Sequence, residues 1–222
     1  MHWFRRQGRD LPWRRTRDPY AVLVSEIMLQ QTQVTRVAEY YPRFLDTYPT
    51  VRHLAAATPD QVREVWQGLG YYRRAAQLHR LAQIVVTEQD GRIPRDPVEL
   101  RRLPGVGRYT AGAVATFAYE LATPAVDTNV ARVIRRAFLP GKAGRRKSGK
   151  AVGKQQGKPG TDRAVWEIAE RLVPRRGTPA WTFNQAIMEL GALVCTARVA
   201  RCGECPVRSA CRTGRKSVIA DC

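Results

Sequence analysis

Two carboxylates stand where proton chemistry is possible. Glu26 lies in YAVLVSEIMLQ, with Val22, Leu23, Leu29 and Gln30 three and four positions away. On a helix these neighbours share its face, so the carboxyl would sit on a largely apolar surface. Desolvation penalises the charged form, raises the pKa and leaves a fraction protonated near neutral pH. A general acid requires that state and contributes roughly 10²–10⁴ in rate. The ordinary alternative is a solvent-facing helix charge. Asp127 closes the apolar run Pro124-Ala125-Val126 and precedes Thr128-Asn129 at an expected helix start. It reads as an N-cap, and helix-end N–H groups would keep it ionised. One protonated and one ionised carboxyl would divide the acid and anion roles between them.

Four of the five cysteines fall in one stretch, Cys195, Cys202, Cys205 and Cys211, spaced C-x6-C-x2-C-x5-C. The first residues, MHWFRRQGRD, contain no apolar signal core, so the chain reads as cytoplasmic, where a metal centre is favoured over disulfides. Zinc ribbons present two separated CxxC knuckles, and only one CxxC occurs here. One compact wrap by four thiolates suits a [4Fe–4S] cluster. Buried free thiols are the plain alternative; Gly203, Pro206 and the surrounding arginines argue against a core there. Cys222 is a terminal leftover.

Leu103-Pro104-Gly105-Val106-Gly107 separates two helical stretches. Two glycines around one apolar residue allow positive φ. Followed by a helix start, their N–H groups would make an anion site that grips a phosphate without reading a base. A dinucleotide-binding glycine motif fails, because position 110 is threonine and the preceding PVELRRL is helical in pattern. A plain interhelical turn remains open.

The charge fits a phosphate-bearing partner. The 222 residues carry 38 Lys+Arg against 19 Asp+Glu, a net +19, which implies a polyanion. There is no cationic amphipathic anchor and no apolar run near the ~20 residues that span a bilayer, so nucleic acid is expected rather than membrane. No lysine occurs before Lys142.

The elements that must position these groups read as helical throughout. Asp18-Pro19 marks a capped start for a helical run over residues 20–48, and Thr58-Pro59-Asp60-Gln61 resembles a capping box. Gly68 and Gly70 interrupt the second run before a helix through Ala75, Leu78, Leu81, Ala82 and Val85. A short helix through Leu100 and Leu103 precedes the hairpin. Further helices are expected over Tyr109–Tyr119, Asn129–Phe138, Arg163–Val173 and Phe183–Cys195. Residues 141–160, rich in Gly and Lys, read as a mobile basic loop.

LPGVGRYTAGAV, VDTNV and the cysteine wrap together resemble the endonuclease III superfamily of helix–hairpin–helix DNA glycosylases. Within it, GRDLPWR, SEIMLQQTQV, GLGYYRRA and FNQAIMELGA resemble the catalytic domain of MutY-type adenine DNA glycosylases. The likeness runs from Arg9 to Cys211, interrupted mainly at 141–160. It implies an all-α, two-lobed fold. Residues 19–128 would form a six-helix barrel with the hairpin, and 1–18 with 129–222 the iron–sulfur lobe. It implies a monomeric enzyme on double-stranded DNA, associated with the nucleoid, that hydrolyses the N-glycosidic bond of adenine opposite guanine or 8-oxoguanine.

By the same resemblance Glu26 protonates a flipped adenine and Asp127 offsets positive charge on the sugar, with Tyr109 and Asn129 in the catalytic group. Gln31 would be the wedge that fills the gap and Tyr71 the neighbouring aromatic probe. Gln30, Leu103, Gly105, Val106, Gly107 and Thr110 would contact DNA. Arg9, Trp13, Arg14, Leu29 and Gln185 would line the base pocket, although packed core fits Trp13 and Leu29 equally. Tyr109 stands where the lyase branch has its Schiff-base lysine, so base removal without efficient strand cleavage is expected.

Two departures matter. The sequence ends at Cys222, shortly after the cysteine wrap, so the family's 8-oxoguanine-recognition domain is expected to be absent and the opposite base is left open. Thr128 stands where the commoner pattern has glycine. The alternatives are a thymine or uracil mismatch glycosylase acting opposite guanine, a catalytically silent DNA-damage-binding module, and a lyase.

Overall fold

The computed structural model describes residues 1–139, 163–175 and 177–216; the 141–160 stretch and Cys222 lie outside them. The helices run in order α1 (His2–Gln7), α2 (Pro19–Met28), α3 (Val34–Thr47), α4 (Val51–Ala56), α5 (Pro59–Val65), α6 (Arg73–Glu88), α7 (Pro97–Leu100), α8 (Arg108–Phe117), α9 (Thr128–Phe138), α10 (Arg163–Leu172), α11 (Gly177–Leu193) and α12 (Arg212–Lys216). Among the described residues there is no β-strand, only a bridge between Cys195 and Ala200. None of these helices is long and apolar enough to cross a membrane.

The chain divides into two compact units, Asp10–Thr123 and Met1–Arg9 with Pro124–Cys222. The divisions fall earlier than the expected 18/19 and 128/129, for reasons visible in the packing. Leu11 and Trp13 are buried in the first of these units, Trp13 edge-on to Tyr41 at 5.7 Å. The Ala125 N–H donates to Asn184 Oδ1 at 2.9 Å, which ties that segment to α11.

In the Asp10–Thr123 unit α2 is central. Asp18 caps it, accepting from the Ala21 N–H at 2.7 Å, with Pro19 at the first position. Every residue from Tyr20 to Met28 is buried. A helix apolar all round must be enclosed, and α3, α6 and α8 pack against it. The small residues Ala111, Gly112, Ala113 and Ala115 of α8 are all buried. Thr58 forms the anticipated capping box with Gln61. Trp66 and Phe44, both essentially inaccessible, meet edge-to-face at 5.8 Å.

The single helical run over 20–48 does not form. The chain leaves the helix after Met28 and re-enters it at Val34, with Gln31 at φ +60° between. The carbonyls of Ile27, Met28 and Gln30 are taken by the Arg74 side chain, so the break has a partner from outside the segment.

In the other unit, Val130, Val133 and Ile134 of α9 pack with Val165, Trp166 and Ala169 of α10 and with Ile187, Leu190 and Val194. Helices α9 and α11 come very close at Gly191, where a Cβ would lie 2.7 Å from Asn129 Cβ. Helix α11 begins at Gly177, before the expected Phe183, because Pro179 falls in its first turn, where the missing N–H costs nothing.

Candidate active site and DNA interface

Glu26 is placed by α2 with only 4% of its surface exposed. Burying a carboxyl on an otherwise apolar helix is costly without compensation, which marks this position as unusual for a residue of its type. Thr110 is buried and Tyr109 half-buried in the first turn of α8, the helix that packs on α2.

The hairpin before α8 is pinned by Leu103 and Val106, each 6% exposed. Gly105 adopts φ +78°, and its carbonyl accepts from Gln30 Nε2 at 3.5 Å. Gly107, the N-cap of α8, has φ −88° and ψ −179°, so the expectation of positive φ holds for the first glycine alone. A Cβ at Gly107 would meet nothing within 4 Å. The N-terminus of α8 thus opens outward without a side-chain cap.

Gln31 is exposed, and Tyr71 has 59% of its surface exposed at φ +49°. Trp13 is buried on Tyr41, the packed-core alternative, while Arg14 and Leu29 are partly exposed.

In the other unit, Asp127 caps α9. Its Oδ1 accepts from the Val130 N–H at 2.7 Å and its Oδ2 from Asn129 Nδ2 at 2.9 Å. Burial pushes the Asp127 carboxyl above its usual range, against the pull of the Val130 and Asn129 hydrogen bonds and of Arg132. Desolvation thus works against the helix-end N–H groups that favour the anion. Arg132 Nη2 donates to Asn129 Oδ1 and to the Gly191 carbonyl, each at 2.7 Å, and its Nε to the Cys195 carbonyl at 2.8 Å. A continuous polar path therefore joins Asp127 to the backbone of the first cysteine. Gln185 is buried on α11. Arg9 grips the fully buried Glu189 in a two-pronged ion pair, at 2.5 and 3.2 Å.

The four thiols fit the expected cluster in donor chemistry. All are partly buried, and none is in a disulfide. Burial pushes the Cys205 thiol up, and Cys211, Cys195 and Cys202 add to the rise, so the four are gathered closely enough to repel as anions. Cationic iron would relieve that repulsion. Arg136 Nη1 donates to Cys195 Sγ and the Gly214 N–H to Cys211 Sγ, both at 3.3 Å, the kind of contact that tunes bound thiolates. Among the described residues, no three His, Cys, Asp or Glu groups stand at single-ion spacing. Cys195, Cys202, Cys205 and Cys211 would therefore hold a multi-iron group rather than one ion.

The residues that sequence reasoning missed are arginines. Arg74, Arg132 and Arg136 each hold several backbone carbonyls. Asn129, Arg132 and Arg136 are spaced to share one face of α9, a signal that was available. Arg74 lies within GLGYYRRA, three residues after Tyr71, where nothing in the sequence separates it from Arg73.

This helical fold, with a hairpin feeding α8 and an aspartate capping the next long helix, is that of a known class. Residues 24–155 match the HhH-GPD superfamily of base excision DNA repair proteins, and the chain belongs to that family. Among relatives, the adenine DNA glycosylase of Homo sapiens is 43% identical over 97% of this chain and 39% of its own length. That of Mycolicibacterium smegmatis is 45% identical over 96% of this chain and 67% of its own length. The chain spans about two-fifths of the mammalian relatives it matches. A solved thermostable thymine-DNA glycosylase is 32% identical, with TM-score 0.83, covering 97% of this chain and 93% of that one. A trapped endonuclease III–DNA covalent intermediate is 25% identical, with TM-score 0.72, covering 98% and 92%.

Proposed function

We propose that this chain is the catalytic core of a monofunctional DNA glycosylase that removes adenine mispaired with guanine or 8-oxoguanine from double-stranded DNA. The observation that carries the reading is the burial of Glu26 in a chain 43–45% identical to adenine DNA glycosylases. Extruding a nucleotide costs a few kcal/mol. Gln31 fills the gap and Tyr71 probes beside it, while the backbone N–H groups of Gly105, Gly107 and Thr110 hold the phosphate backbone, the hairpin being pinned by buried Leu103 and Val106 and bonded through the Gly105 carbonyl to Gln30. Arg14, Leu29, Arg9 and Gln185 would contact the extruded base, with Trp13 backing Arg14 from the core on Tyr41.

Breaking the N-glycosidic bond leaves cationic character on the sugar and negative charge on the base. Glu26 donates a proton to the leaving purine, and Asp127, oriented by Asn129, faces the cation. That cation offsets the burial that opposes ionisation of Asp127 in the free protein. Tyr109 has no amine, so no imine forms and the strand is left intact. Cys195, Cys202, Cys205 and Cys211 would hold a [4Fe–4S] cluster that ties the 195–211 segment together and helps to present basic residues to DNA; the enzyme would act as a monomer.

A duplex panel containing A:G, A:8-oxoguanine, T:G and U:G, treated with alkali after incubation, tests the reading. Adenine release is expected. A second reading, removal of thymine or uracil opposite guanine, draws on the likeness to the thymine-DNA glycosylase structure, and release confined to T:G or U:G would establish it instead. Borohydride should trap no covalent adduct when the N-terminal amine is blocked.

A further inference from the structure

Gln31 and Tyr71 share a backbone peculiarity. Both take positive φ, +60° and +49°, a conformation that side-chain-bearing residues hold only when their surroundings over-determine it. Those surroundings converge on one side chain. Arg74, 6% exposed, reaches both loops with its guanidinium. Its Nη1 donates to the carbonyls of Ile27 at 3.1 Å, Met28 at 2.7 Å and Gln30. Its Nη2 donates to Thr32 Oγ1 at 2.9 Å and to the carbonyls of Leu69 and Gly70, each at 3.2 Å. The Gln30 carbonyl belongs to the peptide that leads into Gln31, and the Gly70 carbonyl to the peptide that leads into Tyr71. The guanidinium carbon also lies 5.3 Å from the centre of the Tyr71 ring and 5.5 Å from that of Trp66.

We propose that Arg74 is a positioning residue that sets the wedge and the aromatic probe together, by clamping the peptide group immediately before each. This rests on the reading of Gln31 and Tyr71 as the residues that enter DNA. Arg74 is too buried to serve as a phosphate contact. Its planar fork presents donors in two directions at once, whereas an ammonium offers three donors from one point. Lysine would keep the charge and lose the span. The two loops lie about forty residues apart in sequence, and the shared guanidinium makes their conformations interdependent.

The test uses the whole, cluster-replete chain with Arg74→Lys and Thr32→Val, the second removing one bond of the clamp. Hydrogen exchange in the free protein reads the clamp without DNA. Arg74→Lys should accelerate exchange in segments 27–33 and 69–73 together; acceleration in one alone, or in neither, overturns the proposal. The ratio of affinities for a duplex with a tetrahydrofuran abasic-site analogue and for the same duplex undamaged reads the function. Arg74→Lys should lower that ratio about tenfold or more and Thr32→Val about threefold, with affinity for undamaged DNA within about twofold of wild type. Unchanged ratios overturn the proposal, as does a loss of both affinities in step with melting temperature. If Arg74→Lys does not fold, Thr32→Val decides, by the same ratio and by exchange in both segments. A wild-type chain that shows no preference for the abasic analogue would instead remove the glycosylase reading, and the exchange result would still judge the clamp.

Discussion

Asp127 carries two opposed demands on one carboxyl. Its hydrogen bonds from Val130 and Asn129 favour the anion, yet burial prevails and its pKa is raised. A carboxyl that holds its proton more tightly folded than unfolded contributes stability below its unfolded pKa, near 3.9. That contribution is lost as pH rises through the folded value. Asp127→Asn cannot ionise, so its melting temperature relative to wild type should climb as pH rises from about 4 to 7. Thermal melts across that range check this; a pH-independent difference would mean that burial does not govern the group. Such a cost at neutral pH is common where a site is built for a charged transition state. Sequence reasoning found this residue and its capping role, but the balance between burial and hydrogen bonds needs the packed neighbours.

At the scale of elements, Gly191 is the sharpest test of how α9 and α11 are held. An alanine there would place its Cβ 2.7 Å from Asn129 Cβ and 2.9 Å from the Asn129 carbonyl oxygen. Glycine-to-alanine in a helix ordinarily stabilises by up to about 1 kcal/mol. Here overpacking should reverse the sign, costing about 1–3 kcal/mol, and slow base release by displacing Asn129 from Asp127. Chemical denaturation measures the first and single-turnover kinetics the second; a stabilised Gly191→Ala variant would contradict the packing. Most helices were legible in the sequence because their apolar spacing and caps are local signals, as at Asp18 and Thr58. The break after Met28 was not, because its cause, the Arg74 guanidinium, arrives from more than forty residues away. The short α1 and α4 lack the length over which a helical period becomes visible. Both hairpin glycines allow positive φ, yet only Gly105 takes it, since a glycine kept for an open surface looks the same in sequence as one kept for a turn.

For the whole molecule, a net charge of +19 predicts binding dominated by phosphate contacts. The logarithm of affinity for an undamaged duplex should fall linearly with the logarithm of salt, with a slope steeper than about −3. A nearly flat dependence in a salt titration would remove the electrostatic account. Residue types and spacing single out Glu26, Asp127, the hairpin and the cysteine wrap; the structure buries Glu26 and makes Asp127 the cap of α9. Of the arginines that hold these parts in place, Arg132 and Arg136 share a legible face of α9 with Asn129, but Arg74 does not stand out, because an arginine bonded to carbonyls has no sequence signature that separates it from one facing solvent. The most direct trial of the account is the single-turnover rate of adenine release by wild type and by Glu26→Gln on the preferred duplex. The account predicts at least a ~10²-fold loss of rate with affinity for an abasic-analogue duplex nearly unchanged. Equal release by the two proteins would show that no proton from Glu26 takes part.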